Sequence, residues 1–327
     1  MVQASGRFSY WSQLAILLGL VGLGIIIAGL TTVLIGLKAL GSSNLMDMEK
    51  ATAIQAAFLK PENAGYAQAA QIAGTLFIMF LPSLAFILIC HKKMLWAGFS
   101  KHFNVKQVAI GFLIILTANY FAAPFADISK NILSHFPSID KLAKAAEDLY
   151  IQTVASMSNL KDWKQFFTAV FIIAFFPALF EEMLFRGVLQ NLLTRWLNKP
   201  VLAIVIVSIL FSLIHASYYL FISRFVLGYV LGLMFFYTKN IWVNIFAHFI
   251  NNGLALSALF YANLKNKPAL INDMDEKLPV WSLIITFAIL YGLIVLLIRV
   301  SKESRNHIAL KENLVFSNAP FLAAHQP

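Results

Sequence analysis

The chain has little charge and almost no cysteine. Asp, Glu, Lys and Arg make up 12% of its 327 residues, against about 25% in a soluble domain. That shortage excludes a fold with an ordinary polar surface, and with it disorder or a coiled coil. Cys90 is the one cysteine, which rules out an internal disulfide framework and any cysteine-based zinc site. Acids are scarcer than bases, 15 against 25, for a net charge of +10. The basic residues punctuate apolar runs and form no patch, so no nucleic-acid partner is expected. In a membrane protein the same excess belongs beside the cytoplasmic leaflet. Alternating strand segments of about ten residues are also missing, which excludes a β-barrel.

What remains is apolar: 60% hydrophobic residues and a mean hydropathy of +0.76. Eight runs can cross a bilayer as helices, at 12–37, 66–90, 107–124, 165–197, 200–220, 221–238, 240–262 and 280–299. The expected fold is all-α, a polytopic membrane helix bundle with about eight transmembrane helices. One integral membrane domain covers 1–299 and a polar tail covers 300–327. The first run follows Arg7 and is too long for the h-region of a signal peptide, so it is read as a retained helix. Segments 44–60 and 138–157 have helical spacing and read as interfacial helices, with a lid over a site as the sharper alternative. Gly228 with Gly232, and Gly24 with Ala28, mark close helix contacts, and Pro82 and Pro177 should kink their helices.

With eight spans the termini share a side. That side gathers Arg7, Lys92, Lys93, Lys101, Lys106, Arg195, Lys199, Lys239, Arg299, Lys302, Arg305 and Lys311. The other side holds most of the acids, among them Asp47, Glu49, Glu62, Glu147, Asp148, Asp273, Asp275 and Glu276. The basic density puts both termini in the cytoplasm and the chain in the cell membrane.

Charged side chains inside a membrane helix cost about 2.5–3.5 kcal/mol each on insertion scales, so their presence asks for a reason. Here they concentrate in the fourth to seventh runs. The fourth carries Glu181, Glu182 and Arg186 in FPALFEEMLFRG. Glu182 and Arg186, four apart, share a face and can pair, whereas Glu181 points about 100° away. The plain alternative is a solvated helix end. The fifth run ends at His215 in FSLIH, and the seventh has His248 and Asn252 four apart, with Asn251 beside them. Alone, each could be a buried neutral histidine or interhelical glue. Arg224, Tyr218 and Tyr219 read as markers of the membrane interface.

As a set these residues form a hydrolytic inventory. Glu181 can activate water, His215 can position it or carry a proton, and His248 and Asn252 can donate to an oxyanion. Alternatively two histidines and a carboxylate hold zinc, with the second glutamate as base. HExxH and GxSxG are absent and no aspartate lies in a run, so other intramembrane protease chemistries lack their residues. Cys90 has no histidine arranged to activate it apart from adjacent His91. Counting Lys239 as cytoplasmic puts His248 about 12–14 Å deep, with the site opening to that side or laterally to that leaflet.

EEMLFR fits EExxxR, FSLIH fits FxxxH and HFINN fits HxxxN. In this order on successive membrane helices they resemble the CPBP family, the type II CAAX prenyl proteases and bacterial Abi proteins, over roughly 165–260. The resemblance implies an intramembrane endopeptidase acting on a membrane-associated, prenylated or lipidated substrate. It implies Glu181 as the water-activating residue, Glu182 and Arg186 completing the first motif, His215 the second, and His248 with Asn252 the third. The family has been described both as metalloproteases and as metal-free. Zinc is possible, on Glu181, His215 and His248. No cofactor is preferred, because every motif residue has a role without one. The competing readings are a proton-coupled or ion transporter using intramembrane Glu and His, and a non-catalytic immunity or scaffold protein.

Overall fold

A computed structural model describes residues 8–41, 50–101, 104–158, 160, 162–265 and 280–311. Arg7, Asp47, Glu49, Asp273, Asp275 and Glu276, used above for orientation, lie outside them. The described residues are helical, with no strand among them. The elements are α1 (Tyr10–Ala39), α2 (Lys50–Phe58), α3 (Pro61–Cys90), α4 (Val105–Ser134), α5 (Pro137–Met157), α6 (Trp163–Leu197), α7 (Pro200–Leu213), α8 (Phe221–Thr238), α9 (Ile241–Leu264) and α10 (Val280–Lys311).

The helices start where the sequence supplies caps. Ser9, Asn104, Asp162 and Asn240 each accept a backbone N–H from the first turn of α1, α4, α6 and α9. Pro61, Pro137 and Pro200 open α3, α5 and α7, where a missing N–H costs nothing.

Among the described residues seven helices are long and apolar enough to cross a membrane: α1, α3, α4, α6, α8, α9 and α10. The fifth expected run is shorter than the sequence suggested. Helix α7 has 14 residues and is about 21 Å long. Residues 214–220 leave the helix, where the His215 carbonyl accepts from Arg224 and Ser217 bonds Glu147. At the other boundary, α10 runs on to Lys311, so the first part of the expected tail is helical. Ser301 and Ser304 tie it to α4 through Gln107 Nε2 (3.0 Å) and Asn104 Nδ2 (3.1 Å).

Both in-span prolines sit just beyond a widened turn. A π-helical stretch, Leu76–Phe80, precedes Pro82, and another, Val170–Phe175, precedes Pro177. The extra residue makes room for a ring that would otherwise strike the carbonyl one turn back. A third, Met183–Gln190, follows Glu181 and Glu182 directly.

The bundle has two unlike ends. At the basic end Tyr10 stacks on Trp196 and Arg305 lies over Phe236, which joins the start of α1 to the ends of α6, α8 and α10. The opposite end carries α2, α5 and the 214–220 loop. Helix α6 runs through the middle. Its Met183, Phe185, Val188 and Leu192 are buried against Leu17, Phe86, Ile87, Val207 and Phe211. Helices α4, α8, α9 and α10 share a second core.

Close approach explains the small residues. A Cβ on Gly24 would collide with the Phe77 carbonyl, whereas one on Gly22 would meet nothing within 4 Å. Gly24→Ala should therefore push α1 from α3 and cost about 1–3 kcal/mol, lowering the thermal midpoint in detergent. Gly22→Ala should leave it unchanged.

Candidate active site

Glu181 and Glu182 lie at mid-length of α6, on different faces, and have different neighbours. Glu182 is fully buried, and its Oε1 takes a 2.7 Å bond from Arg186 Nη1, itself fully buried. Arg186 Nη2 then reaches the Gly228 carbonyl on α8 at 3.1 Å. One turn on, Gln190 Nε2 donates to Gly232 O at 2.9 Å. The two glycines thus serve twice: they let α8 approach α7, and their carbonyls receive α6. From α9, His248 Nδ1 lies 2.9 Å from Glu182 Oε1, and Asn244 Nδ2 donates to Glu182 Oε2 at 3.2 Å and to Leu231 O at 2.7 Å. Glu182 is therefore the knot joining α6 to α9 and, through Arg186, to α8.

Glu181 is different. Its Oε2 is buried without a hydrogen-bond partner and lies 3.8 Å from Nε2 of both His215 and His248. The Nδ1 atom of each ring is already engaged. His215 Nδ1 is 2.7 Å from Phe211 O, and His248 Nδ1 faces Glu182. Both acceptors require Nδ1–H, so a neutral ring presents a bare Nε2 toward Glu181. A gap of 3.8 Å is too long for a hydrogen bond and suits a bridging species. Phe211 forms the apolar wall of this chamber, its ring centroid 4.7 Å from that of His215, 6.0 Å from that of His248 and 4.7 Å from the Arg186 Cζ.

Asn252 lies one turn beyond His248 and is half-buried. Its Oδ1 accepts from Asn251 Nδ2 at 3.4 Å. Asn251 bonds in turn to Asn119 of α4. The structure brings Glu181, Glu182, Arg186, His215 and His248 into one connected group, and Asn252 makes no hydrogen bond to any of them among the described residues.

Four contributions were missed in the sequence. Asn244 stands four residues before His248, so the spacing Asn244, His248, Asn252 held the signal. Arg224, read as an interface marker, donates through Nη1 to the His215 carbonyl at 3.2 Å and lies 4.9 Å from the Tyr150 ring. Tyr219, read the same way, bonds Asp140 Oδ1 at 2.8 Å, and Ser217 bonds Glu147. Helix α5 thus fastens the turn that presents His215. Ala216, next to His215, holds φ +51°, a strained value for a residue with a Cβ.

Exposure around the site is uneven. Toward the basic end residues 183–192 are buried except Leu189. On the other side Leu213, Ile214, Ala216 and Tyr218 are exposed, and a quarter of the His215 side chain is accessible. A separate cavity of about 660 Å³ between α3 and the start of α6, lined by Glu62, Gln68, Asp162 and Lys164, holds none of these residues.

The motif-bearing segment matches a known family. Residues 163–254 are similar to the family described as type II CAAX prenyl endopeptidase Rce1-like. The chain is also 34% identical over 100 residues to the uncharacterized protein YpbD of Bacillus subtilis (strain 168), covering 29% of this chain and 46% of that one. It thus spans about half the length of that curated relative. No solved structure matches. The Rce1-like segment begins at the first residue of α6 and ends in α9, so it contains Glu181, His215 and His248 on their three carriers. The family is one of endopeptidases, and the apolar helices make this an integral membrane protein.

Cutting the knot has a defined cost. Arg186→Ala strands Glu182 without water, which should destabilise the fold by about 3–5 kcal/mol. The thermal midpoint in detergent should fall clearly, and the unchanged midpoint of an exposed ion pair would contradict the burial described here.

Proposed function

We propose that the protein is an intramembrane endopeptidase that hydrolyses a peptide bond of a membrane-associated or lipidated, CAAX-like substrate by glutamate-activated water. The observation that carries this reading is Glu181 Oε2, buried, unpartnered and 3.8 Å from two imidazole Nε2 atoms. A water seated there can give one hydrogen bond to Glu181 and the other to an imidazole. Glu181 takes the water proton as oxygen attacks the carbonyl, then returns it to the leaving amine. Asn252 Nδ2 is the proposed oxyanion donor. His248 can join it only when its ring carries both protons, with Glu182 as the counterion on Nδ1. Glu182 and Arg186 hold His248 and do not touch substrate.

A second reading has its own support. Two Nε2 lone pairs and a carboxylate oxygen, with the far imidazole nitrogens held by Glu182 and a backbone carbonyl, are a donor set that zinc accepts. His215, His248 and Glu181 would hold it, and the ion would supply a Lewis acid and a more acidic bound water.

Both termini are proposed to face the cytoplasm of a cell membrane, on the density of Lys and Arg at the basic end. A cysteine in place of exposed Tyr218 should be labelled by an impermeant reagent from the outer face. Labelling from the inner face alone would reverse the orientation.

The chemistry is tested with a membrane-peptide library. Glu181→Gln should keep binding and lose about 10²–10⁴-fold in turnover. Asn252→Ala should lose about 10²–10³-fold. Full activity in protein shown to contain no metal supports water activation by Glu181 alone. Stoichiometric zinc that disappears in His215→Ala or His248→Ala supports the second reading. Ion flux in proteoliposomes without cleavage would favour a transporter and overturn both.

A further inference from the structure

The hydrolytic site leaves a second concentration of buried polar groups unused, at the basic end. Trp96 is buried, and its indole Nε1–H has no acceptor. His91 stacks on the same ring, with centroids 3.7 Å apart and planes 7° from parallel. The Arg195 Cζ lies 5.2 Å from that ring. Arg195 Nε and Nη2 are shut off from solvent and unbonded, although the residue as a whole keeps some exposure. Among the described residues no carboxylate is within ion-pair distance of Arg195.

Other positive charge stands close by. Lys239, buried at the end of α8, lies over Phe235 and Phe236, at 5.7 and 5.5 Å. Arg305 of α10 lies over the same Phe236 at 6.0 Å. Burial, followed by the Arg195 charge, holds the His91 imidazole down to a pKa of about 3. Burial, followed by the charges of Arg195 and Arg305, pulls Lys239 well below the ordinary lysine value. Burial comes first in both shifts, and the neighbouring positive charges act in the same direction.

We infer that this end of the bundle binds an anionic phosphate group, seated on the Nε–Nη2 edge of Arg195 and the indole N–H of Trp96 within the field of Lys239 and Arg305. Nε and Nη2 form one edge of the guanidinium, the edge that grips two oxygens of a phosphate in parallel. Two buried, unpaired N–H groups of a cation are costly, and an anion that fills the edge removes that cost. The favoured source is an anionic phospholipid. Arg195 stands in the last turn of α6 beside Trp196, which meets Tyr10 and Trp11. Trp and Tyr with a basic side chain mark the depth of lipid headgroups. The partly exposed face of Arg195 is the entry. This inference stands apart from the peptidase reading, because it uses none of that site's residues.

The test uses full-length protein, stripped of lipid in detergent. Thermal midpoints are followed on titration with phosphatidylglycerol, phosphatidylcholine and inorganic phosphate, and retained lipid is read by native mass spectrometry. Phosphatidylglycerol should raise the midpoint saturably and be retained, and phosphatidylcholine should do neither. Arg195→Gln should weaken the response by about 10–100-fold, the scale of charge-assisted hydrogen bonds. Trp96→Phe keeps the ring, removes the N–H and should weaken it less. It also serves if Arg195→Gln does not fold. A saturable response to inorganic phosphate equal to that of the lipid keeps the site and assigns it to a soluble phosphate. Equal responses to both lipids with no response to phosphate, or a phosphatidylglycerol response unchanged in Arg195→Gln or Trp96→Phe, overturns the proposal.

Discussion

A carboxylate and a guanidinium, both without solvent exposure, sit in the middle of an apolar bundle. The Glu182–Arg186 pair can exist there only because its remaining valences are filled. Arg186 uses a helix carbonyl on α8, and Glu182 uses an amide and an imidazole on α9. Each filled valence is also a tether, so the cost of burying charge becomes the means of registering three helices. A shift of α9 by one turn would strip Glu182 of both Asn244 and His248. The position of His248 relative to Glu181 is thus set by electrostatics as much as by packing. Side-chain packing alone, in a lipid-facing helix, allows more sliding.

Neighbouring glutamates therefore divide the work. Glu182 is saturated with partners and cannot take part in bond making without dismantling its surroundings. Glu181, about 100° around the helix, keeps an oxygen without a partner. The π-helical stretch that follows them changes the angular register of Arg186 and Gln190 relative to an ideal helix. Both side chains land on α8 as a result, each on one glycine carbonyl. Phe211 completes the arrangement by keeping the chamber walls apolar.

Much of this was legible in the sequence, because the cost of charge in lipid is a strong filter. Glu181, Glu182, Arg186, His215 and His248 stood out against apolar neighbours, and the four-residue spacing between Glu182 and Arg186 pointed to their pairing. Asn244 was passed over because a single asparagine in a membrane helix is commonplace. The partners of Arg224 and Tyr219, His215 O and Asp140, were not legible, being distant in sequence or invisible to side-chain periodicity. The end of α7 at Leu213 was missed because the apolar run continues past the point where the helix stops.

The shortness of α7 has a consequence for the lipid around it. Leu213 and Ile214 face outward, so hydrocarbon meets this helix directly. About 21 Å of helix stands where a bilayer core measures about 30 Å. Acyl chains beside α7 must bend, tilt or splay to cover the shortfall, or headgroups and water must descend to meet the loop. The annulus at this one side of the protein is therefore thinner and softer than elsewhere. A peptide arriving in the plane of the membrane meets its lowest barrier to leaving the hydrocarbon there, beside His215.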